Sequence, residues 1–220
     1  MKLAPVIAAA LLAGSSLAHA DTLNLGWATL SYDGKSFGAV SSSSATGFSW
    51  TTPDSVNVYS SGSLVTTEVA LPTFTLTANG GYTLNGAFSG FLGNLGYTEF
   101  GGATTGILAY ADVSVNGAPA TTVSGGVGWV QQHSANGLNS GYFAGTSAIP
   151  DLGNYHSITV SNARIVLSAT GGVLSFIQAN DQNKLSFSFQ AAAVPEPETY
   201  ALLMAGLGVI GFVARRRKQG

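Results

Sequence analysis

From His156 to Gln190 apolar and polar side chains alternate along the chain. Ile158 and Val160 are interleaved with Thr159 and Ser161, and Leu185, Phe187 and Phe189 with Ser186 and Ser188. A period of two puts one set on each face of an extended strand, so the segment predicts half-buried β-strands. Ile165 and Leu167 bracket Val166 in a nearly all-apolar stretch. Gly171-Gly172 and Asn180-Asp181-Gln182-Asn183 have turn composition, so the expectation is three antiparallel strands. The last of them leads directly into the C-terminal segment.

The same pattern recurs upstream. Phe74-Thr75-Leu76-Thr77 and Tyr82-Thr83-Leu84 flank Asn79-Gly80-Gly81, which predicts a hairpin. Asp112-Val113-Ser114-Val115 followed by Asn116-Gly117 predicts another. Strands are expected over Leu23–Leu30, Val56–Tyr59 and Leu64–Leu71, the last ended by Pro72. Ser41–Ser44 reads as a loop, and the glycine-rich stretch Gly86–Gly106 as either bulged strands or a long loop. No segment between 21 and 194 has a helical stripe. Many short strands with Gly and Asn turns imply an all-β domain, a single β-sandwich or jelly roll.

The two ends break the pattern. Lys2 precedes an apolar run from Leu3 to Ala13, and Ala18-His19-Ala20 is a small-x-small sequence. This is the layout of an N-terminal signal helix, residues 1–20, cleaved after Ala20 and read by the export translocon. The exported β domain then covers 21–193. At the other end stand Val194-Pro195-Glu196-Pro197-Glu198-Thr199, a charge-free run from Tyr200 to Ala214, and Arg215-Arg216-Arg217-Lys218. The two prolines fix φ and push their neighbours toward extended conformations, giving a stiff hinge over 194–199. The apolar run predicts a transmembrane helix over 200–214, and 215–220 forms a basic tail that stays on the cytoplasmic side. At about 1.5 Å per residue the run measures roughly 22 Å. A bilayer core is about 30 Å thick, so the helix is short for a stable span.

Pro195-Glu196-Pro197, the Gly206–Gly211 core of the apolar run and Arg215-Arg216-Arg217 together resemble the sorting signal of the PEP-CTERM family of bacterial surface proteins. The resemblance implies that an exosortase, a membrane-embedded peptidase, removes the tail in or near the Pro-Glu-Pro motif. Val194, Pro195, Glu196 and Pro197 are then the processing motif, and Arg215, Arg216, Arg217 and Lys218 the basic stop. It further implies a Gram-negative, exopolysaccharide-producing cell, contact with the membrane at least in transit, and a destination at the cell surface or in the extracellular matrix of a biofilm. It implies nothing about the fold of residues 21–193.

Composition limits what the exported part does. It holds eight acids and three bases (Lys35, Arg164, Lys184), a net charge of −5 with histidine neutral. Nucleic-acid binding, which rests on neutralising phosphates with Lys and Arg, is excluded as an expectation. The absence of cysteine removes any disulfide framework, so packing alone must hold an exported fold. His133 and His156 survive export, but no Gly-x-Ser-x-Gly elbow frames a serine and His133 lies in a polar stretch read as a loop. Asp181-Gln182-Asn183 does not complete a calcium loop, and Glu68 and Glu99 carry no mark of an acid pair. No catalytic residue, metal site or cofactor is expected. Three functions stay open: a non-enzymatic structural or interaction protein, a glycan-binding module, and a secreted hydrolase. Glycan stacking would use Trp27, Trp50 or Trp129, with Tyr97 and Tyr142 as further candidates.

Overall fold

The computed structural model describes residues 20–34, 37–118, 121–123, 130–180, 182–194 and 197–217. The all-β expectation holds. Among the described residues fourteen strands belong to one curled antiparallel sheet, followed by a C-terminal helix. Four long strand runs form its middle. The first is β5 (Asn57–Ala70) and the second β13 (Ser157–Gln178). The third is β7 (Tyr82–Phe100) continued by β8 (Ala103–Val115), and the fourth is β10 (Val130–Ala135) continued by β11 (Asn139–Ile149).

These four runs lie side by side and all bend along one line. β13 pairs with β8 from Ile158↔Val115 to Gly171↔Ala103, then with β7 from Leu174↔Phe100 to Gln178↔Gly96. β10 and β11 follow the same two partners, Ala135↔Ala103 on one side of the bend and Asn139↔Glu99 on the other. β5 meets the line at Gly62↔Gly171. Gly101, Gly102, Gly171 and Gly172 all have left-handed φ, from 66° to 84°. A Cβ on Gly172 would run into the Phe100 carbonyl oxygen and come within 2.8 Å of the Ala103 nitrogen. Gly171 faces the Gly102 carbonyl at the same 2.8 Å. Only glycine fits where two backbones cross this closely with positive φ.

Gly171-Gly172 is therefore a kink within one long strand, not the hairpin turn its sequence suggests. The expected three strands of this region are two, β13 and β14 (Lys184–Ala193). Other expectations shift for similar reasons. Val56–Tyr59 and Leu64–Leu71 merge into β5 through Gly62, and Leu23–Leu30 splits at Gly26 into β1 (Asp21–Asn24) and β2 (Ala28–Tyr32). Gly86–Gly106 is strand interrupted at Gly101-Gly102, with register shifts in its pairing to β11 and β14, and no long loop. Ser42–Ser44 is a short exposed strand, β3, against β4 (Gly47–Thr51), so it is no loop. His133 sits on β10 rather than on a loop. The turn at Asn79-Gly80-Gly81 exists, but β6 (Phe74–Ala78) pairs with β2 and β13, so it joins separate parts of the sheet and makes no hairpin. Asn116-Gly117 does close a hairpin, between β8 and β9 (Thr121–Val123).

The alternation is read correctly on both sides of the all-apolar stretch. Ile158 and Val160 are buried, and so are Ala163, Ile165, Leu167 and Ala169, although the two sets differ in phase. A bulge between Ser161 and Arg164, with Asn162 at φ 48°, resets the phase so that both sets face inward. The bend then brings two parts of the sheet over a shared aromatic core. Phe74 of β6 lies 4.7 Å from Phe187 of β14 and 5.2 Å from Phe48 of β4 between ring centroids. Trp50 of β4 meets Tyr32 of β2 edge-on at 5.6 Å. Edge-to-face pairs of this kind add about 0.5–1.5 kcal/mol each beyond burial.

The bend also contains a buried polar cluster. Glu99 is fully buried; its Oε1 accepts from the Thr105 amide (2.9 Å) and hydroxyl (2.7 Å), and its Oε2 from Asn139 Nδ2 (3.1 Å). One carboxylate thus ties β7, β8 and β11 across the line. A second buried side chain, Asn183, donates to the carbonyls of Gly93 (3.0 Å) and Asn94, fixing the turn between β13 and β14.

Gly172→Ala should lower unfolding stability by about 2 kcal/mol or more in urea titration, while Gly80→Ala, in open space, should change it by less than about 1 kcal/mol. Tyr155 provides a pH test. Its hydroxyl is buried without a partner among the described residues, and burial pushes its ionisation from 10.0 up to about 12. The unfolded phenol loses its proton first, so the stability this tyrosine contributes is intact below pH 10 and falls as pH rises toward 12. Tyr155→Phe should flatten that alkaline decline, read from unfolding midpoints across the pH range.

Candidate functional sites: the sorting tail and an outer aromatic face

The tail grows directly out of the sheet. The end of β14 pairs with the start of β7 as Ala191↔Leu84, Ala192↔Thr83 and Ala193↔Tyr82, and the Val194 amide donates to the Gly81 carbonyl at 2.8 Å. The helix α1 (Pro197–Arg217) begins after two intervening residues, Pro195 and Glu196, which lie outside the described residues. It starts earlier than the expected 200 and consumes half of the expected hinge, since proline with its fixed φ suits a first helical position. Leu202, Leu203, Met204, Leu207, Val209 and Ile210 are all exposed, so the sheet covers none of these apolar side chains. Among the described residues no helix is long and apolar enough to cross a membrane. The expected spanning helix is thus not what α1 provides: charged residues bound the apolar run too closely at Glu198 and Arg215. Lys218 and Ala18 lie outside the described residues; Ala20 is exposed, immediately before β1.

The stacking candidates separate by burial. Trp50 has no exposure and belongs to the core, so it is not available to a ligand. Tyr97 is also buried, stacked on His133 at 4.6 Å and beside Phe143 at 4.8 Å. Trp27 is partly exposed and stacks on Tyr82 at 6.4 Å. Trp129 lies outside the described residues. Tyr142, at 67% exposure, projects from the outer face of β11. There it joins two residues that the alternation pattern could have marked, because they occupy the polar phase of their strands. Tyr59, 59% exposed, and Phe176 are direct neighbours across β5 and β13. An open hollow of about 800 Å³ lies against Tyr59, Phe176, Gln178, Asn57 and Asn180. A second, of about 340 Å³, continues it over Gly96, Thr98, Ser140 and Tyr142.

The ionisable groups are dispersed. Glu68 pairs with Arg164 at 2.8 Å, and Arg164 also covers the ring of Tyr110 at 4.8 Å. Asp112 accepts from Asn162 at 2.7 Å. Asp151, with φ 44°, caps its own turn through the Gly153 amide, and His156 is exposed. Among the described residues no three His, Cys, Asp or Glu side chains group as a metal site.

Comparison with known proteins bears on the tail alone. The family model of the PEP-CTERM protein-sorting motif matches residues 193–218. The chain therefore carries a PEP-CTERM sorting signal, which directs export and sorting toward the cell surface and is processed by exosortase, a membrane protein. No curated protein matches the chain. A solved structure, "Structure of infectious bursal disease virus Gx strain", aligns at 12% identity over 72% of this chain with a TM-score of 0.19. The alignment spans 43% of that viral chain, and a likeness this weak carries no argument.

The geometry of the junction has a consequence for processing. A peptidase that takes an extended peptide of several residues must accommodate β14 as well as the motif, because only Pro195 and Glu196 separate the ladder from the helix. Two extended residues reach no more than about 7 Å. The strand end is all alanine, with little side-chain burial to lose, and so is cheap to open. The chain has no cysteine, so Thr83→Cys with Ala192→Cys makes a single cross-strand disulfide at a paired position. Oxidised, this variant should accumulate as precursor on immunoblots of the native host; inserting Gly-Ser-Gly-Ser after Val194 should restore processing. Wild-type processing of the locked form would refute the need for opening.

Proposed function

We propose that this is an exported surface protein with a non-enzymatic structural or interaction role, which exosortase releases from its C-terminal sorting tail. In this reading residues 1–20 are a signal peptide cleaved after Ala20, 21–193 the working domain and 194–220 the sorting signal. The bent sheet acts as a two-layered, sandwich-like body, and the destination is the outer envelope or exopolysaccharide matrix of a Gram-negative cell. The observation that carries the proposal is the sorting motif joined directly to the last strand of the sheet. Such a tail has no packing role, as the exposed apolar side chains of α1 indicate, so its use lies in handling by another protein.

The non-enzymatic part draws support from how the acids and histidines are employed. Glu99 is saturated by Thr105 and Asn139, Glu68 is paired with Arg164, and His133 is stacked on Tyr97. Each serves the sheet.

Intact-mass measurement of the protein from its own host tests the delivery reading. The mature chain should begin at Asp21 and end near the Pro-Glu-Pro motif. Deleting Pro195–Pro197 should give a chain that retains the tail. A mature form ending at Gly220 would defeat the proposal.

A further inference from the structure

We propose that the outer face of β5, β13, β7 and β11 is a binding site for a neutral polysaccharide chain. Two cross-strand rows build it. One runs Tyr59, Phe176, Thr98, Ser140, and the next Asn57, Gln178, Gly96, Tyr142, each residue being the direct partner of its neighbour. At about 4.8 Å between strands, the platform is roughly 14 Å wide from β5 to β11. That exceeds one six-membered ring, so the ligand is a chain of rings. The inference identifies the ligand class for the surface protein proposed above and rests on that reading for its biological setting only.

The chemistry of the lining selects the occupant. Tyr59 and Tyr142 present exposed aromatic bodies with polar tips, suited to lie against the C–H face of a sugar ring while the hydroxyl remains wet. Asn57, Gln178 and Asn180 add amide groups, which donate and accept at once and so match hydroxyls that do the same. No Lys or Arg lines either hollow, and Asp54 lines the larger one, so an anionic polymer is disfavoured. The floor strands β13 and β7 are hydrogen-bonded on both edges, so a peptide cannot add a strand within the floor of the platform. Gly96 leaves a slot between Gln178 and Tyr142. A Cβ there would sit at ordinary distances, 3.7 Å from the Gln178 carbonyl and 4.0 Å from the Tyr142 ring, so the position is open by choice of residue and not by steric need.

Isothermal titration of the full chain in detergent against soluble hexasaccharides of glucan, galactan and mannan tests this site, with alginate oligomers and a proline-rich peptide alongside. At least one neutral hexasaccharide should bind. Tyr59→Ala and Tyr142→Ala should each weaken it about tenfold, and Gly96→Val should weaken it as much by filling the slot. Trp27→Ala, on a different part of the sheet, should bind as the parent does. Thermal unfolding of each variant reports its fold; Tyr59→Phe and Tyr142→Phe preserve the ring and should bind within about threefold of the parent. Absence of binding to every neutral polymer at millimolar concentration overturns the proposal. So does binding that survives both alanine substitutions, or binding confined to alginate or the peptide. These outcomes are independent of delivery, which the mature mass decides.

Discussion

A close crossing of backbones constrains this whole structure. Gly171-Gly172 on one strand and Gly101-Gly102 on its neighbour meet at the bend, all four with left-handed φ, and Gly101, Gly171 and Gly172 leave no room for a side chain. Because the ladder on either side keeps its partners, four strand runs turn together and the sheet closes over its own inner face. The aromatic core, with Phe74 on one part and Phe48, Phe88 and Phe187 on the other, exists only because of that turn. Glu99 completes the arrangement from inside. A buried carboxylate is costly unless its oxygens are satisfied, and here three donors from two other strand runs or segments reach it. In a fold without disulfides, the glycines permit the bend and this network helps to fix it.

The sequence was readable where the information is local. Alternation located the strands, and the burial of Leu185, Phe187 and Phe189 agrees with their period of two. The sorting motif was legible because motif, apolar run and basic cluster are contiguous, although the helix bounds were not. What remained hidden depends on pairing. A Gly-Gly step with positive φ suits a hairpin turn or a kink equally well, and only the opposing Gly101-Gly102 decides between them. The Asn79-Gly80-Gly81 turn was visible, but nothing local shows that its two strands pair with other partners.

The aromatic residues show the same boundary. Trp50 and Tyr142 look alike as isolated ring-bearing positions, yet one has no exposure and the other is mostly exposed. Phe176 was masked by its apolar neighbours Leu174 and Ile177, although it lies on the opposite face from Ile177. The outer platform draws on four strand runs and reaches from Asn57 to Gln178 along the chain, so no short sequence window contains it. Addressing is encoded in one stretch of chain; surface recognition is encoded in topology.

The position of β14 adds one mechanical result. It lies between β7 and β4 and ends at the junction where the protein is attached during sorting. Drag on a protein held by that end pulls along the strand, so the load falls on many ladder bonds at once in shear instead of peeling them singly. The three terminal alanines yield first, and beyond them Phe187 and Leu185 anchor the strand in the core. A soft lead followed by a firm seat lets the tail end of the sheet give a little under load without pulling the sheet apart.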